Sequence, residues 1–442
     1  MPFATGFAKS RHGDVMASNL HNRGHHLLDA DRGFATGAGW LSRLFAPGFR
    51  RLLDRIDAGL QTGTLIATLP SGERRTLGGR GPGARAEITL HSWRPLLRLA
   101  TSGSVGWYKA WAEGEWESPN PVAIFEIFLA NRHSLGNTGR AKGFARWINA
   151  KAHKLRANSR EGAKKNIEAH YDLGNDFYAP WLDETMTYSS AVFADPIAAE
   201  EPLAEAQRRK LRLLLDRLDL NPGDRLLEIG CGWGGLMEIA AAEYGVCVTG
   251  ITLSTEQKDW ADKRLADAGL SDQCDIRLVD YRDVEGTFDA VASVEMVEAV
   301  GQEYWPAYLR AIAGRLKPGG KAAIQLISID DAVFEDYASR PDFIQTYIFP
   351  GGLLISESRF EAIAREAGLS WHDRKGYHLH YAETLRRWRE SYDAAVAEGR
   401  LPPEFDAAFH DLWRYYLMYC EGGFRAAGID VAQVTLAKAE QE

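Results

Sequence analysis

Long apolar runs are missing from this 442-residue chain. Runs such as "GGLLI" at 351–355 fall far short of the ~20 residues that a membrane span needs. Cysteine is scarce: Cys231, Cys247, Cys274 and Cys420 form no CxxC pair, so neither a zinc site nor a disulfide framework is signalled. The first thirty residues contain no continuous apolar stretch, which argues against a secretory signal and leads us to expect a cytoplasmic protein. GxSxG and GxxxxGK[ST] are absent too, which sets aside a serine hydrolase and a P-loop nucleotidase. Neither sign of charge dominates: 52 Lys+Arg face 60 Asp+Glu, a net −8. With 45% hydrophobic and 25% charged residues, the composition excludes a wholly disordered or collagen-like chain and is that of a globular protein.

What is present divides the chain. Residues 1–35, rich in Gly, Ala, His, Asn and Arg, have no apolar period and read as poorly ordered. Residues 36–135 read as a small α+β domain: an amphipathic helix in "WLSRLFAPGFRRLLDRIDAGL", a hairpin turning at Ser71-Gly72, a strand in "AEITLHSW", then helices. A basic segment, 136–165, follows. From Arg140 to Lys165 it carries nine Lys/Arg and one acid. On a helix, Phe144, Trp147, Ile148, Lys151 and Leu155 share a face, so it can be an interfacial helix or a solvated linker packed on the protein. Nucleic acid has no recognised motif here.

From Asn166 to the C-terminus strands and helices alternate. "RLLEIG" (225–230), "VCVTGIT" (246–252), "CDIRLVD" (274–280), "FDAVASVE" (288–295) and "KAAIQLISI" (321–329) are apolar, β-branched runs. The pattern predicts a mostly parallel sheet covered on both faces, with ligands beyond the carboxyl ends of its strands. The first run ends in Glu228-Ile229-Gly230-Cys231-Gly232-Trp233-Gly234, a turn whose glycines permit positive φ and close backbone approach. The second ends in Thr252-Leu253, with no acid for the ribose diol of a nicotinamide dinucleotide; Gln257 is the polar partner one helical turn on. Asp280, Tyr281 and Arg282 supply an acid, a ring and a guanidinium after the third. Together these favour S-adenosylmethionine over NAD, with a ligand-free glycine turn as the plainer alternative.

Seven motifs then carry a resemblance: "NIEAHYDLGNDFYAPWLDETMTYSSAVF" (166–193), "LLEIGCGWGG" (226–235), "VTGITLSTEQ" (248–257), "EMVEAVGQEYW" (295–305), "RLKPGG" (315–320), "DFIQTYIFPGG" (342–352) and "YYLMYCEGGFR" (415–425). Residues 166–442 resemble the cyclopropane fatty acyl phospholipid synthase family, and "GWYKAWAEGEWESPNP" is the main cue to the family's N-terminal domain. The resemblance implies a Rossmann-like class I methyltransferase with a seven-stranded sheet. It implies methyl transfer from S-adenosylmethionine to the cis double bond of a phospholipid acyl chain, with a bound bicarbonate ion removing the proton that closes the ring. An isolated alkene is a weak nucleophile, so such a site must exclude water and hold the reactants in contact.

Carried over by position, the bicarbonate ligands would be Glu298, Gln325, Tyr381 and backbone amides near Ser190 and Ile327. Tyr188 and Ser189 would close over the methionine end of the cofactor. The chain departs from many bacterial members at Glu298-Ala299 (for Glu-His), Gln325 (for His) and Ser190 (for Cys); Gln325 with its flanks resembles the plant enzymes. Glu298 has the plainer reading of a carboxylate satisfied by backbone donors, and Tyr381 that of a core tyrosine. Tyr304, Trp305, Tyr347, Phe349, Tyr415, Tyr416 and Tyr419 form a pool from which an acyl tunnel can be lined. His378 and His380 would share a face on extended backbone but have no third metal ligand in register, and no metal is expected.

In this context Lys142, Arg146, Trp147, Lys151 and Lys154 are expected to meet anionic headgroups on the inner face of a membrane. A homodimer is within the family's range. Rival outcomes are a methyl- or methylene-branched acyl product and a catalytically weak lipid-binding relative.

Overall fold

The computed structural model describes residues 23–28, 30, 46–136 and 173–440. The expected headgroup residues Lys142, Arg146, Trp147, Lys151 and Lys154 lie outside this set, as does most of the 1–35 segment.

After one helical turn at His25–Leu28, the N-terminal part has α1 (Ala46–Gly59) and then β1 (Thr64–Thr68), β2 (Arg74–Gly78) and β3 (Arg85–Leu90). α2 (Arg94–Ala112), β4 (Trp116–Glu117) and α3 (Pro121–Ala130) complete it, followed by one turn of helix at Arg132–Leu135. The hairpin forms where the sequence places it, with Gly72 at φ 82° in the turn. The strand order is β2-β1-β3-β4, and β1 runs parallel to β3. Trp107 and Trp116 of the "GWYKAWAEGEW" segment stack at 4.7 Å, and the Trp116 indole donates to the Trp107 carbonyl. α2 bends at Gly103, whose φ of 59° and ψ of −138° are not helical. Asn120 caps α3 by accepting from Ala123 N, with Pro121 at its first position.

The larger sheet is built from β5 (Arg225–Ile229), β6 (Cys247–Thr252), β7 (Cys274–Leu278), β8 (Phe288–Val294), β9 (Leu316–Ile329), β10 (Leu369–Gly376) and β11 (Ile429–Lys438). Its order is β10-β11-β9-β8-β5-β6-β7. β9, β8, β5, β6 and β7 are mutually parallel, and β11 is antiparallel to both of its neighbours. The helices of this part are α4 (Leu203–Leu215), α5 (Gly235–Tyr244), α6 (Thr255–Asp267), α7 (Trp305–Arg315), α8 (Asp331–Ala338), α9 (Glu357–Glu366), α10 (His378–Ala397) and α11 (Ala407–Arg425). All five expected strands form. β9 is longer than expected because its pairing with β8 begins at Leu316.

The chain winds outward from β5 through β6 and β7, then returns to β8 on the other side of β5. That reversal is the switch point at which open α/β sheets open a crevice for ligands. α11 lies against α3, and at Gly422 an added Cβ would stand 2.5 Å from the Phe125 Cβ. The N-terminal helices are thereby seated against the helical hairpin α10–α11 that covers the crevice.

Candidate active site

The crevice has two floors. On one side is the glycine turn after β5. Gly230, Gly232 and Gly234 all hold positive φ (83°, 52° and 83°), where other residues are strained. An added Cβ on Gly230 would lie 2.9 Å from Met296 Cγ, whereas one on Gly232 would meet nothing within 4 Å. Glu228, next to last in β5, is buried, and its Oε2 has no hydrogen-bond partner among the described residues. Burial pushes its carboxyl up to about 8, against the pull of the Lys210 ammonium. Thr252 donates to Gln257 Oε1 at 2.8 Å, and both side chains are buried at the start of α6. Leu253 sits half-buried between them and the cap residue Ser254.

The Asp280-Tyr281-Arg282 cluster is tied together by its own side chains. Arg282 turns onto Asp280, with Nε 2.7 Å and Nη2 2.5 Å from the carboxylate, and its guanidinium lies over the rings of Tyr281 and Tyr304. Acid and guanidinium are thus paired side by side next to the Tyr281 ring. A buried carboxylate oxygen unpartnered among the described residues, three glycines and a side with open space suit an adenosyl sulfonium, so Glu228, Gly230, Gly232, Gly234, Thr252, Leu253, Gln257, Asp280, Tyr281 and Arg282 are the residues that would hold one.

On the other side of β5, across β8, is a buried acid centre that the sequence reading assigned differently. The resemblance placed a bicarbonate ion among Ser190 N, Glu298, Gln325, Ile327 N and Tyr381. In the structure a protein carboxylate, Glu295, takes three of those donors. Its Oε1 accepts from Ser190 N and from Gln325 Nε2, each at 2.8 Å, and its Oε2 accepts from the Tyr381 hydroxyl at 2.7 Å. Ile327 N donates to Glu298 Oε1. A separate anion does not fit among donors already engaged this way, and we derive no step through bicarbonate.

Glu295 holds φ at 47°, in the left-handed region that costs a side-chain-bearing residue roughly 1–2 kcal/mol. Burial pushes its carboxyl up; Lys210 and the three donors oppose that shift. Lys210 is itself fully buried, donates to Ser189 Oγ at 2.6 Å, and is pushed down to about 8 by desolvation. The unexpected Gln325 now has a structural reason. Its Nε2 reaches Glu295 while its Oε1 accepts from Gln433 Nε2 at 3.1 Å, because β9 and β11 pair in a register that sets these residues opposite one another.

Glu298 follows its plainer reading in part, with one oxygen on a backbone donor and Oε2 buried without a partner among the described residues. Burial and the neighbouring Glu295 push its carboxyl up to about 8.

Glu295, Glu298, Tyr381 and Ile327 open onto a cavity of about 540 Å³. Its wall is mainly apolar and includes Phe349, Tyr416 and Tyr419 from the expected aromatic pool. The other four members lie elsewhere: Trp305, Tyr347 and Tyr415 are core side chains, and Tyr304 lies under Arg282. Tyr188 also lines this cavity, its hydroxyl 2.8 Å from that of Tyr416, and Ser189 is buried on Lys210. Leu99, Trp107, Phe125 and Phe128 of α2 and α3 form the far wall, which sequence reasoning did not foresee.

His378 and His380 begin a helix, where residues two apart do not share a face; they bond separately to Phe424 O and Phe193 N.

The structure is similar to mycolic acid cyclopropane synthase CmaA1 solved with S-adenosylhomocysteine and CTAB: TM-score 0.57, 30% identity, covering 62% of this chain and 98% of that one. It is similarly close to the cyclopropane synthase MmaA2 from Mycobacterium tuberculosis, with TM-score 0.56, 32% identity and the same coverage. Fold, switch-point cradle and neighbours define a class I S-adenosylmethionine-dependent methyltransferase. The family model described as mycolic acid cyclopropane synthetase matches residues 158–434, and the chain belongs to that family.

Among curated proteins it is 39% identical over 350 residues to tuberculostearic acid methyltransferase UfaA1 of Mycobacterium tuberculosis, covering 77% of this chain and 80% of that protein. It is 34% identical over 357 residues to the cyclopropane-fatty-acyl-phospholipid synthase of Escherichia coli, covering 80% and 88%. The latter match is longer than residues 158–442, so it includes part of the N-terminal segment.

Proposed function

We propose that this protein methylates the cis double bond of an unsaturated acyl chain in a phospholipid, and that Glu295 receives the proton lost when a cyclopropane ring closes. The observation that carries the reading is the Glu295 carboxylate, held by three donors at the wall of a mainly apolar cavity and one residue from Met296, which packs against the glycine turn. S-adenosylmethionine, when bound, supplies an electrophilic methyl that adds to one alkene carbon and leaves a cation on its neighbour. A proton on the new methyl then passes to Glu295, and the freed electron pair closes the third carbon–carbon bond.

Tyr381, whose phenol burial pushes up, stays protonated and keeps Glu295 Oε2 oriented. Lys210 offsets the charge of a buried base. Tyr416 and Phe349 exclude water from the cavity and offer ring faces to a transient cation. Membrane contact through the Lys/Arg-rich 140–165 sequence and an inner-face location belong to the same reading.

A second reading ends in a methyl or methylene branch. The name of the 39%-identical relative, tuberculostearic acid methyltransferase, favours it. The two are separated on vesicles of cis-monounsaturated phospholipid supplied with S-adenosylmethionine, with the acyl products read by proton NMR. Shielded ring protons support ring closure, vinylic methylene or vinyl-methyl signals (the products of proton loss to an alkene; a saturated methyl branch further requires a hydride donor) support the second reading, and no added carbon overturns both. Glu295→Gln is expected to lower turnover at least a hundredfold while still binding cofactor, and the wild-type rate to be the same in bicarbonate-depleted buffer. A rate that rises with added bicarbonate would remove Glu295 from the role of base.

A further inference from the structure

The cavity that holds Glu295 is also lined by two arginines, Arg132 and Arg340, that the acyl chemistry does not use. Arg132, just beyond α3, donates Nη1 to Leu129 O at 3.3 Å and Nη2 to Asp330 at 3.1 Å. Arg340, just beyond α8, has Nη2 2.9 Å from Asp336. Both side chains line the cavity. Arg132 Nε and both Nε and Nη1 of Arg340 are buried, with no hydrogen-bond partner among the described residues. Buried guanidinium donors are seldom left unpaired, and their planar fork matches the oxygens of a phosphate or carboxylate. The nearby carboxylates do not meet this demand: Asp330 and Asp336 each take one Nη, and Asp342 Oδ1 accepts from Gln345 N.

The spacing fits a lipid. Gln325, bonded to Glu295, and Asp330, bonded to Arg132, are five residues apart along β9 and its extension, about 16 Å at strand rise. In a bilayer a phosphate lies roughly 20 Å from the midplane and a mid-chain double bond roughly 7 Å, so the two are about 13 Å apart.

We propose that Arg132 and Arg340 bind the phosphodiester of the acyl phospholipid, and so set which stretch of the chain reaches Glu295. The site is shared between the N-terminal part and the catalytic part, and it rests on the reading that the substrate is an acyl phospholipid. Its test compares dioleoyl phosphatidylglycerol with dioleoylglycerol, which has the same chains and no phosphate, each carried in saturated phosphatidylcholine vesicles. The ratio of kcat/KM for the phospholipid to that for the diacylglycerol is expected to fall tenfold or more in Arg340→Gln, and further in the double variant with Arg132→Gln. Arg340→Lys should recover part of it. Cofactor affinity and Tm report folding for every variant.

An unchanged ratio, or equal losses on both lipids, overturns the headgroup site. A loss confined to an acyl-phosphopantetheine thioester assigns the pair to a carrier's phosphate and overturns it too. No transfer by the wild type to any of these acyl donors overturns the substrate reading itself, which the variants' ratios alone cannot do.

Discussion

Glu298 and Glu295 stand three residues apart in "EMVEAVG", and the fold gives them different tasks. Glu295 gathers donors, whereas Glu298 has one backbone donor and an orphaned oxygen, so burial and its acidic neighbour hold its carboxyl at about 8. An unfolded chain ionises this group near 4.5. Between those values the native state carries a proton that the unfolded state has lost, so this group lowers stability as pH rises from about 4.5 to about 8. Glu298→Gln removes that dependence. The variant should gain on the wild type by an amount on the order of 3 kcal/mol between pH 5 and pH 8, seen as a widening Tm difference. Glu228, shifted the same way, leaves part of the slope in place. A Tm difference that stays flat with pH would show Glu298 to be ionised in the native protein.

Much at this scale was legible: Gln325, Tyr381 and the Gly230–Gly234 turn all lie in the crevice. Glu295 was not read as the central acid because its role depends on a left-handed backbone and on donors from residues 190, 325 and 381, none of which local spacing reveals.

Among the elements, the closest approach that decides the architecture is between α11 and α3. A Cβ at Gly422 would lie 2.5 Å from Phe125 Cβ, 2.8 Å from Val122 O and 3.0 Å from Glu126 N, and two of these atoms are backbone that cannot step aside. Gly422→Ala is therefore expected to destabilise by about 1–3 kcal/mol through overpacking. Gly314→Ala on α7, where the new methyl meets nothing within 4 Å, should stabilise by roughly 0.5–1 kcal/mol through lost chain entropy alone. Thermal unfolding of the pair separates packing from propensity, and equal shifts of the same sign would refute the packing argument.

Strands were the legible elements, because a parallel sheet buried on both faces demands continuous β-branched runs. The Gly103 bend, the parallel pairing of β1 with β3, and the wide helical turn at Ile344–Ile348 come from tertiary packing and leave no periodic signature.

At the scale of the whole molecule, the cavity joins parts that the sequence presents as separate. An apolar residue on α2 or α3 carries the same pattern whether it faces solid core or a void, so periodicity could not show that Leu99, Trp107, Phe125 and Phe128 wall the cavity. The family model begins at residue 158 and leaves these residues out, while Glu295 and the cofactor cradle lie wholly inside it. Cofactor binding and acyl binding should therefore separate by mutation. Leu99 is only half-buried yet faces the cavity, so a larger side chain there has space to enter but takes the volume an acyl chain needs. Leu99→Trp is expected to cut kcat/KM for a dioleoyl phospholipid tenfold or more, with S-adenosylmethionine affinity by calorimetry unchanged. A phospholipid with shorter unsaturated chains should lose less. If turnover on the dioleoyl lipid persists at the wild-type level, the acyl chain does not run along the N-terminal helices. Falling cofactor affinity would instead mean that the two halves are coupled through the glycine turn.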